Sequence, residues 1–190
     1  MIEISALPSR VTTLILTGSP AVRDRITADF EPPLRARLAA LKARVRSVEF
    51  VTLEDVSGEY ALAATIAHHV AHGVELLVLA GETAIVDKDD IAPRAIVRAG
   101  GKVSCYGVPV DPGNLLLLGY LNAVPILGAP GCIRSRKTNV IDLILPRLLA
   151  GDQLSAADFV ALGHGGLLDE IPERPQPRSL METQDVTEYP

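Results

Sequence analysis

Residues 74–79 are apolar at every position except Glu75, and glycines stand close by on either side, Gly73 and Gly81. A short run that is apolar on both of its alternating faces suits a strand covered on both sides, which is the setting at the centre of a parallel sheet. Short β-type runs alternate with segments of helical period through most of the remaining chain. That order predicts an α/β domain with a largely parallel sheet and helices covering both faces.

The first predicted strand covers residues 11–16. The Pro32-Pro33 pair is then expected to open a helix with Leu34, Leu38, Leu41 and Val45 on one face, since proline is tolerated in a first helical turn. Its other face carries Arg35, Arg37, Lys42, Arg44 and Arg46. These cations alternate with core positions rather than converging, which predicts a solvated face. Residues 48–53 form the second predicted strand, and a helix over about residues 59–72 turns Leu62, Ile66 and Val70 inward. His68, His69 and His72 near its end point in different directions on a helix, so they are read as surface and end-capping residues that suit the negative end of the dipole.

A further helix over about residues 89–99 is expected to stop at Gly100-Gly101, followed by a strand through residues 103–110. Residues 115–118 and 124–127 are separated only by 119–123. A parallel crossover needs roughly a dozen residues, so these two strands must run antiparallel and the sheet is mixed. The last main helix is predicted over about residues 138–149, with Ile141, Ile144, Leu145 and Leu148 inward and Gly151 at its end. Ser155 and Asp158 have capping-box spacing for one more short helix.

With 190 residues, 48% of them hydrophobic, the chain can bury one core. The expected organisation is one domain over residues 1–170 and a Pro-rich, flexible tail over 171–190. No apolar run approaches the roughly 20 residues that span a bilayer, and the first ten residues lack the basic start and apolar stretch of a secretory signal. A cytoplasmic location is the resulting expectation. A net charge of −5 gives no global attraction to nucleic acid or to an anionic membrane, so any anion site must be local. Cys105 and Cys132 are too few for a disulfide framework and lack zinc-site spacing. Cys105 is read as core, and the Gly-flanked His164 as part of a structural loop.

In an open α/β sheet, ligands bind beyond the carboxyl ends of the strands, and two such segments stand out. In residues 79–90 a buried strand exits into Gly81, Glu82, Thr83 and Ala84, and Asp87, Asp89 and Asp90 precede a helix. Gly81 lets a ligand approach the main chain and Thr83 offers a hydroxyl, while Asp87 and Asp89 could hold Mg²⁺. The same carboxylates would equally complement a helix dipole. In residues 128–137, Pro130, Gly131, Cys132, Arg134, Ser135, Arg136 and Lys137 combine a helix start with three cations. That is a cradle for phosphate, or else an exposed basic turn. Cys132 is either a thiol activated by its neighbours or an inert buried one. Pro112-Gly113 by itself suggests only a tight reversal. Neither a Gly-x-Gly-x-x-Gly nor a Walker-type phosphate loop occurs.

Taken in order, these segments resemble the molybdopterin-binding domain family of molybdenum-cofactor biosynthesis. Gly81-Glu82-Thr83-Ala84 with Asp87 and Asp89 is similar to that family's Gly-Gly-Thr-Ser/Thr turn and its downstream aspartates. Pro112-Gly113 is similar to its Lys-Pro-Gly element, and Gly128-Ala129-Pro130-Gly131 to its Gly-Leu-Pro-Gly loop. Residues 14–18 and Asp29 resemble its opening strand and following loop. Residues 109–131 look most like a branch of larger molybdopterin-binding proteins, of which this chain would be the C-terminal domain.

The resemblance implies a three-layer α/β/α sandwich with a mixed, mostly parallel sheet. It implies molybdopterin as ligand or substrate, with Mg²⁺ and an adenine nucleotide as further ligands, and a homo-oligomer working beside other cofactor-biosynthesis proteins. By resemblance, Asp87 and Asp89 would organise the metal and carry catalysis. Gly81, Glu82, Thr83, Ala84, Pro112, Gly113, Pro130, Gly131, Cys132, Arg134, Ser135 and Lys137 would surround the ligand. A catalytic member would transfer an adenylyl group to molybdopterin or insert molybdenum. Three departures stand against catalysis. Glu82 replaces a second glycine, Ala84 replaces a hydroxyl residue, and Cys132 replaces an asparagine. A non-catalytic carrier or interaction domain, or a generic nucleotide-binding module, is the alternative expectation.

Overall fold

The computed structural model describes residues 7–53, 55–163 and 165–166. Strands β1 (Val11–Gly18), β2 (Arg44–Thr52), β3 (Leu76–Gly81), β4 (Lys102–Tyr106), β6 (Leu117–Leu121) and β7 (Val124–Gly128) form a six-stranded sheet in the order β2-β1-β3-β7-β6-β4. β5 (Val110–Asp111) pairs in parallel with β8 (Gly165–Gly166). In the main sheet β1, β2, β3 and β7 run parallel, β6 runs antiparallel to β7, and β4, paired antiparallel to β6, returns to the common direction. The hairpin argued from the short 119–123 connection is β6-β7, and it makes the sheet mixed.

The helices α1 (Arg23–Ala40), α2 (Val56–Ala71), α3 (Ile91–Arg98), α4 (Val140–Ala150) and α5 (Ala156–Ala161) complete three layers. Leu14 and Leu16 of β1 face a core built with Phe30 and Leu34 of α1 and Ile141 and Leu145 of α4. Ile15, between them, faces the opposite core with Leu62 and Ile66 of α2 and Ile96 of α3. Alternation along one strand therefore feeds two hydrophobic layers, as a sheet covered on both faces requires. Glu75, the one polar residue of the central apolar run, accepts from Arg10 Nη1 and from the Val11 amide, each at 2.8 Å, at the amino edge of the sheet.

Four local expectations are corrected. The first helix starts at Arg23, and Pro32 and Pro33 lie inside it. Ile26, Phe30, Leu34 and Leu38 recur every fourth residue and are all buried. An interior proline costs roughly 3 kcal/mol, whereas each of those four side chains contributes roughly 1.5–3 kcal/mol on burial, so the stripe offsets the prolines. Arg44, Val45 and Arg46 belong to β2, not to the helix. The strand expected over 103–110 ends at Tyr106, and residues 110–111 join the separate small sheet; Pro109, with no N–H to give, cannot continue the ladder between them. His69 is buried, not a surface residue, and its Nε2 lies 2.8 Å from Glu49 Oε1.

The predicted capping arm of the last short helix is present, since the Ser155 amide donates to Asp158 Oδ2 at 2.9 Å. Asn139 and Asp142 form a second capping box at the start of α4 that the sequence reading did not anticipate. His164 and residues 171–190 lie outside the described residues. Among the described residues, no helix is long and apolar enough to cross a membrane.

Candidate functional site

The chain leaves β1 outward through α1 to β2, then returns through α2 to β3 on the other side of β1. This change of direction opens a crevice at the carboxyl ends of β1 and β3, where α/β sheets bind ligands. Thr17 pairs with Gly81, and Leu79 pairs with Gly128, so β1, β3 and β7 end at one rim. The antiparallel β6 begins at that rim, with Leu117 opposite Gly128. The topology thus delivers residues 18–22, 81–90, 112–116 and 129–137 to the same edge.

Gly81 is required by the close approach of β1 to β3, because a side chain there would collide with Thr17 Oγ1. From it, the turn through Ala84 separates two cavities. One, about 350 Å³, reaches inward and is walled by Leu53, Leu62, Leu79, Ile85 and Ile91, with Thr17 and Asp90 as polar groups. The other, about 190 Å³, lies on the outer side between the turn and α1, where Arg25, Asp29, Glu82, Gly131 and Arg134 face one another. Gly81, Thr83, Ala84 and Ala129 form a wall common to both. The larger cavity falls within the ~300–1,000 Å³ typical of small-molecule sites.

Glu82 lies across the crevice. Its Oε2 accepts from the Ser19 amide at 3.0 Å and from Ser19 Oγ at 3.2 Å. Its Oε1 stands 3.7 Å from Arg25 Nη2. Arg134 is held beside it, donating from Nε to Gly131 O at 3.1 Å and lying 3.8 Å from Asp29 Oδ2. Ser19 and Arg25 were not singled out in the sequence; Ser19 follows directly on β1, which runs two residues beyond the strand expected over 11–16.

The acidic turn folds on itself. Asp90 Oδ2 accepts from the amides of Val86 at 2.7 Å and Asp87 at 3.0 Å, Asp87 Oδ1 accepts from the Asp89 amide at 2.7 Å, and Lys88 Nζ lies 2.6 Å from Asp89 Oδ2. Asp87 and Asp89 are exposed. Among the described residues, no group of three or more His, Cys, Asp or Glu is placed to hold a metal ion. A lysine paired with one of the two carboxylates also opposes a second cation there. In this arrangement both carboxylates already have partners within the turn.

The 131–137 segment opens with a short 3-10 turn, Gly131–Arg134. Its carbonyls are gathered by Arg37 of α1, which donates to Ile133 O at 3.1 Å, Ser135 O at 2.8 Å and Lys137 O at 3.4 Å, and from Nε to Asp142 Oδ1 at 2.8 Å. The expectation of a solvated Arg37 is corrected: the guanidinium is drawn inward by main-chain acceptors that the turn leaves without helical partners. Ser135 Oγ accepts from the Lys137 amide at 3.1 Å. Of the three cations in this segment, Arg134 is the one in the cleft wall, while Arg136 and Lys137 are exposed outside it.

Pro112 and Gly113 reach the same rim but meet the start of α4. Pro112 O accepts from the Val140 amide at 3.0 Å, and Gly113, at φ +121°, leaves no room for a side chain against Val140. Neither residue is in the wall of either cavity. Cys132 is partly buried, and burial pushes its thiol up, with Asp111 and Asp142 adding to the effect. Of its two readings the inert thiol is the one supported.

No protein-family model matches the chain, and no curated protein matches it in sequence. Solved structures match it in shape. The protein CinA with unknown function from Thermoplasma acidophilum superposes with a TM-score of 0.54 at 12% identity, over 74% of this chain and 98% of that one. The molybdopterin biosynthesis moea protein from Pyrococcus horikosii superposes with a TM-score of 0.51 at 21% identity, over 75% of this chain and 35% of that one. The chain has the molybdopterin-binding-domain fold. It spans about a third of the length of the Pyrococcus protein, 35%. Within the molybdopterin-binding-domain fold, the Gly81 turn and the Gly131 turn flank one crevice, and Pro112-Gly113 packs against the start of α4.

Proposed function

We propose that this chain binds molybdopterin, or a related phosphorylated pterin or nucleotide, in molybdenum-cofactor biosynthesis or handling. The observation that carries the reading is the paired cavity at the switch point, where one wall, Gly81 with Thr83, Ala84 and Ala129, divides a pocket lined by Leu53, Leu62, Leu79, Ile85 and Ile91 together with Thr17 and Asp90 from a cleft holding Arg25 and Arg134. A flat ring system suits the first and an anionic group the second, which is how small-molecule sites divide their labour. The shared fold with a molybdopterin biosynthesis protein supports the choice of a pterin. Arg134 and the Thr83 hydroxyl are the groups that would hold phosphate, while Leu53, Leu62 and Ile85 would line the ring.

A carrier that binds without chemistry is favoured over an enzyme by the local pairing of Asp89 with Lys88, and of Asp87 with the Asp89 amide. Titration calorimetry with molybdopterin and with adenosine monophosphate, each with and without Mg²⁺, tests both readings. The expected result is saturable binding of molybdopterin that is indifferent to Mg²⁺ and to Asp87→Asn. Binding that requires Mg²⁺ and vanishes in Asp87→Asn would restore the enzyme. The absence of molybdopterin binding would remove the pterin reading, and binding of the nucleotide alone would replace it with a generic nucleotide module.

A further inference from the structure

The cleft beside Arg134 already receives one anion from the chain itself. Glu82 enters between the ends of β1 and β3 and takes two donors from one residue, the amide and the hydroxyl of Ser19, on a single carboxylate oxygen. Its other oxygen is turned to the Arg25 guanidinium. Neighbouring Gly18 makes room for this, since a side-chain carbon there would stand 3.2 Å from Glu82 Oε2. A main-chain N–H, a hydroxyl and a guanidinium at a strand end are donors suited to a phosphate oxygen.

We propose that Glu82 is a resident anion, occupying with its own carboxylate the position that a ligand's phosphate would take. It would thereby act as the specificity-determining residue of the crevice. The proposal rests on the phosphate-cleft part of the function proposed above. A carboxylate and a phosphate cannot share Ser19, and two anions held against one another repel. A phosphate therefore enters only by displacing Glu82, which must give up its hydrogen bonds to Ser19. A ligand with a neutral group beside Glu82 meets no such repulsion. Glu82 thus weakens phosphate binding in the cleft while Arg134 and Thr83 remain to hold it, and it ranks phosphorylated ligands by what they gain in the pocket lined by Leu53 and Leu62.

The test uses inorganic phosphate as probe on the full chain, comparing wild type with Glu82→Gln and Glu82→Gly, with binding read by calorimetry and by the amide resonance of Ser19. Glutamine keeps an acceptor for Ser19 and removes the charge; glycine removes the side chain altogether. The expected outcome is phosphate binding tighter by on the order of tenfold or more in Glu82→Gln, with the Ser19 amide shifting on titration, and tighter still in Glu82→Gly. A residue that merely braced the two strand ends would not raise phosphate affinity. Equal or weaker phosphate binding in both variants overturns the proposal. If neither variant folds, wild type still decides. A Ser19 amide that shifts with phosphate at micromolar concentration means that nothing occupies the position, whereas one that responds only at high concentration supports the resident anion. Tighter phosphate binding in the variants without molybdopterin binding by wild type leaves Glu82 in this role and removes the pterin. Molybdopterin binding with no gain in the variants does the reverse.

Discussion

Arg37 of α1 and Asp142 of α4, 105 positions apart in the chain, form an ion pair at 2.8 Å that closes over the Gly131 turn. Both side chains are tied twice over. Asp142 also accepts from the Asn139 amide at 3.0 Å as half of a capping box, and Arg37 also collects the carbonyls of Ile133, Ser135 and Lys137.

Removing Arg37 strands those acceptors together with a partly buried carboxylate. Arg37→Ala is expected to lower unfolding free energy by roughly 2–3 kcal/mol, measured by urea denaturation. Arg37→Lys should recover only a small part, because an ammonium cannot reproduce the planar fork. A loss within the error of the denaturation curve would show that the turn holds its shape without the guanidinium.

Acid stability offers a second check. The Ser155 amide is the leading cause of a depressed Asp158 carboxyl, which lies at about 2 against an ordinary 3.8; the Ser155 hydroxyl and Arg147 add to it. A carboxyl depressed in the folded state stabilises fully above its ordinary value and loses that contribution as pH falls through the folded one. Wild type and Asp158→Asn should therefore differ in melting temperature at neutral pH and converge as pH drops from about 3.8 toward about 2. A gap that stays constant through that window would contradict the assignment.

Thiol chemistry gives the third. With its thiol pushed up by burial, Cys132 should be alkylated by iodoacetamide at mildly alkaline pH on the order of tenfold more slowly than a free cysteine, followed by mass spectrometry. Fast labelling at neutral pH would mean that the cations of the turn dominate its environment after all.

What the sequence disclosed, and what it did not, follows from the range of the forces involved. The apolar run at 74–79 and the short link at 119–123 constrain the fold through local geometry alone, and β3 and the antiparallel β6-β7 hairpin form there, with β3 and the start of β6 lying two residues further along the chain than expected. The start of α1 was misplaced because Pro32-Pro33 is a strong local signal, and the Ile26-Phe30-Leu34-Leu38 stripe that overrides it becomes decisive only on burial. Gly81, Glu82, Thr83, Ala84, Gly131 and Arg134, which line one cleft, could be singled out because each follows a strand. Arg37 could not have been found in that way. Its partners on the turn are main-chain carbonyls from 96 to 100 residues away, and carbonyls leave no signature in a residue pattern.

The parallel strands carry Ser19, Glu82 and Gly131 to one rim, while Leu14, Leu77 and Ile126 stay at full burial in mid-strand. Selection can therefore act on the two sets separately. A lineage can exchange a rim residue, as glycine for glutamate at position 82, and acquire a new ligand preference without disturbing the interior. Divergence of this kind would leave the backbone recognisable long after the chemistry at its edge had drifted.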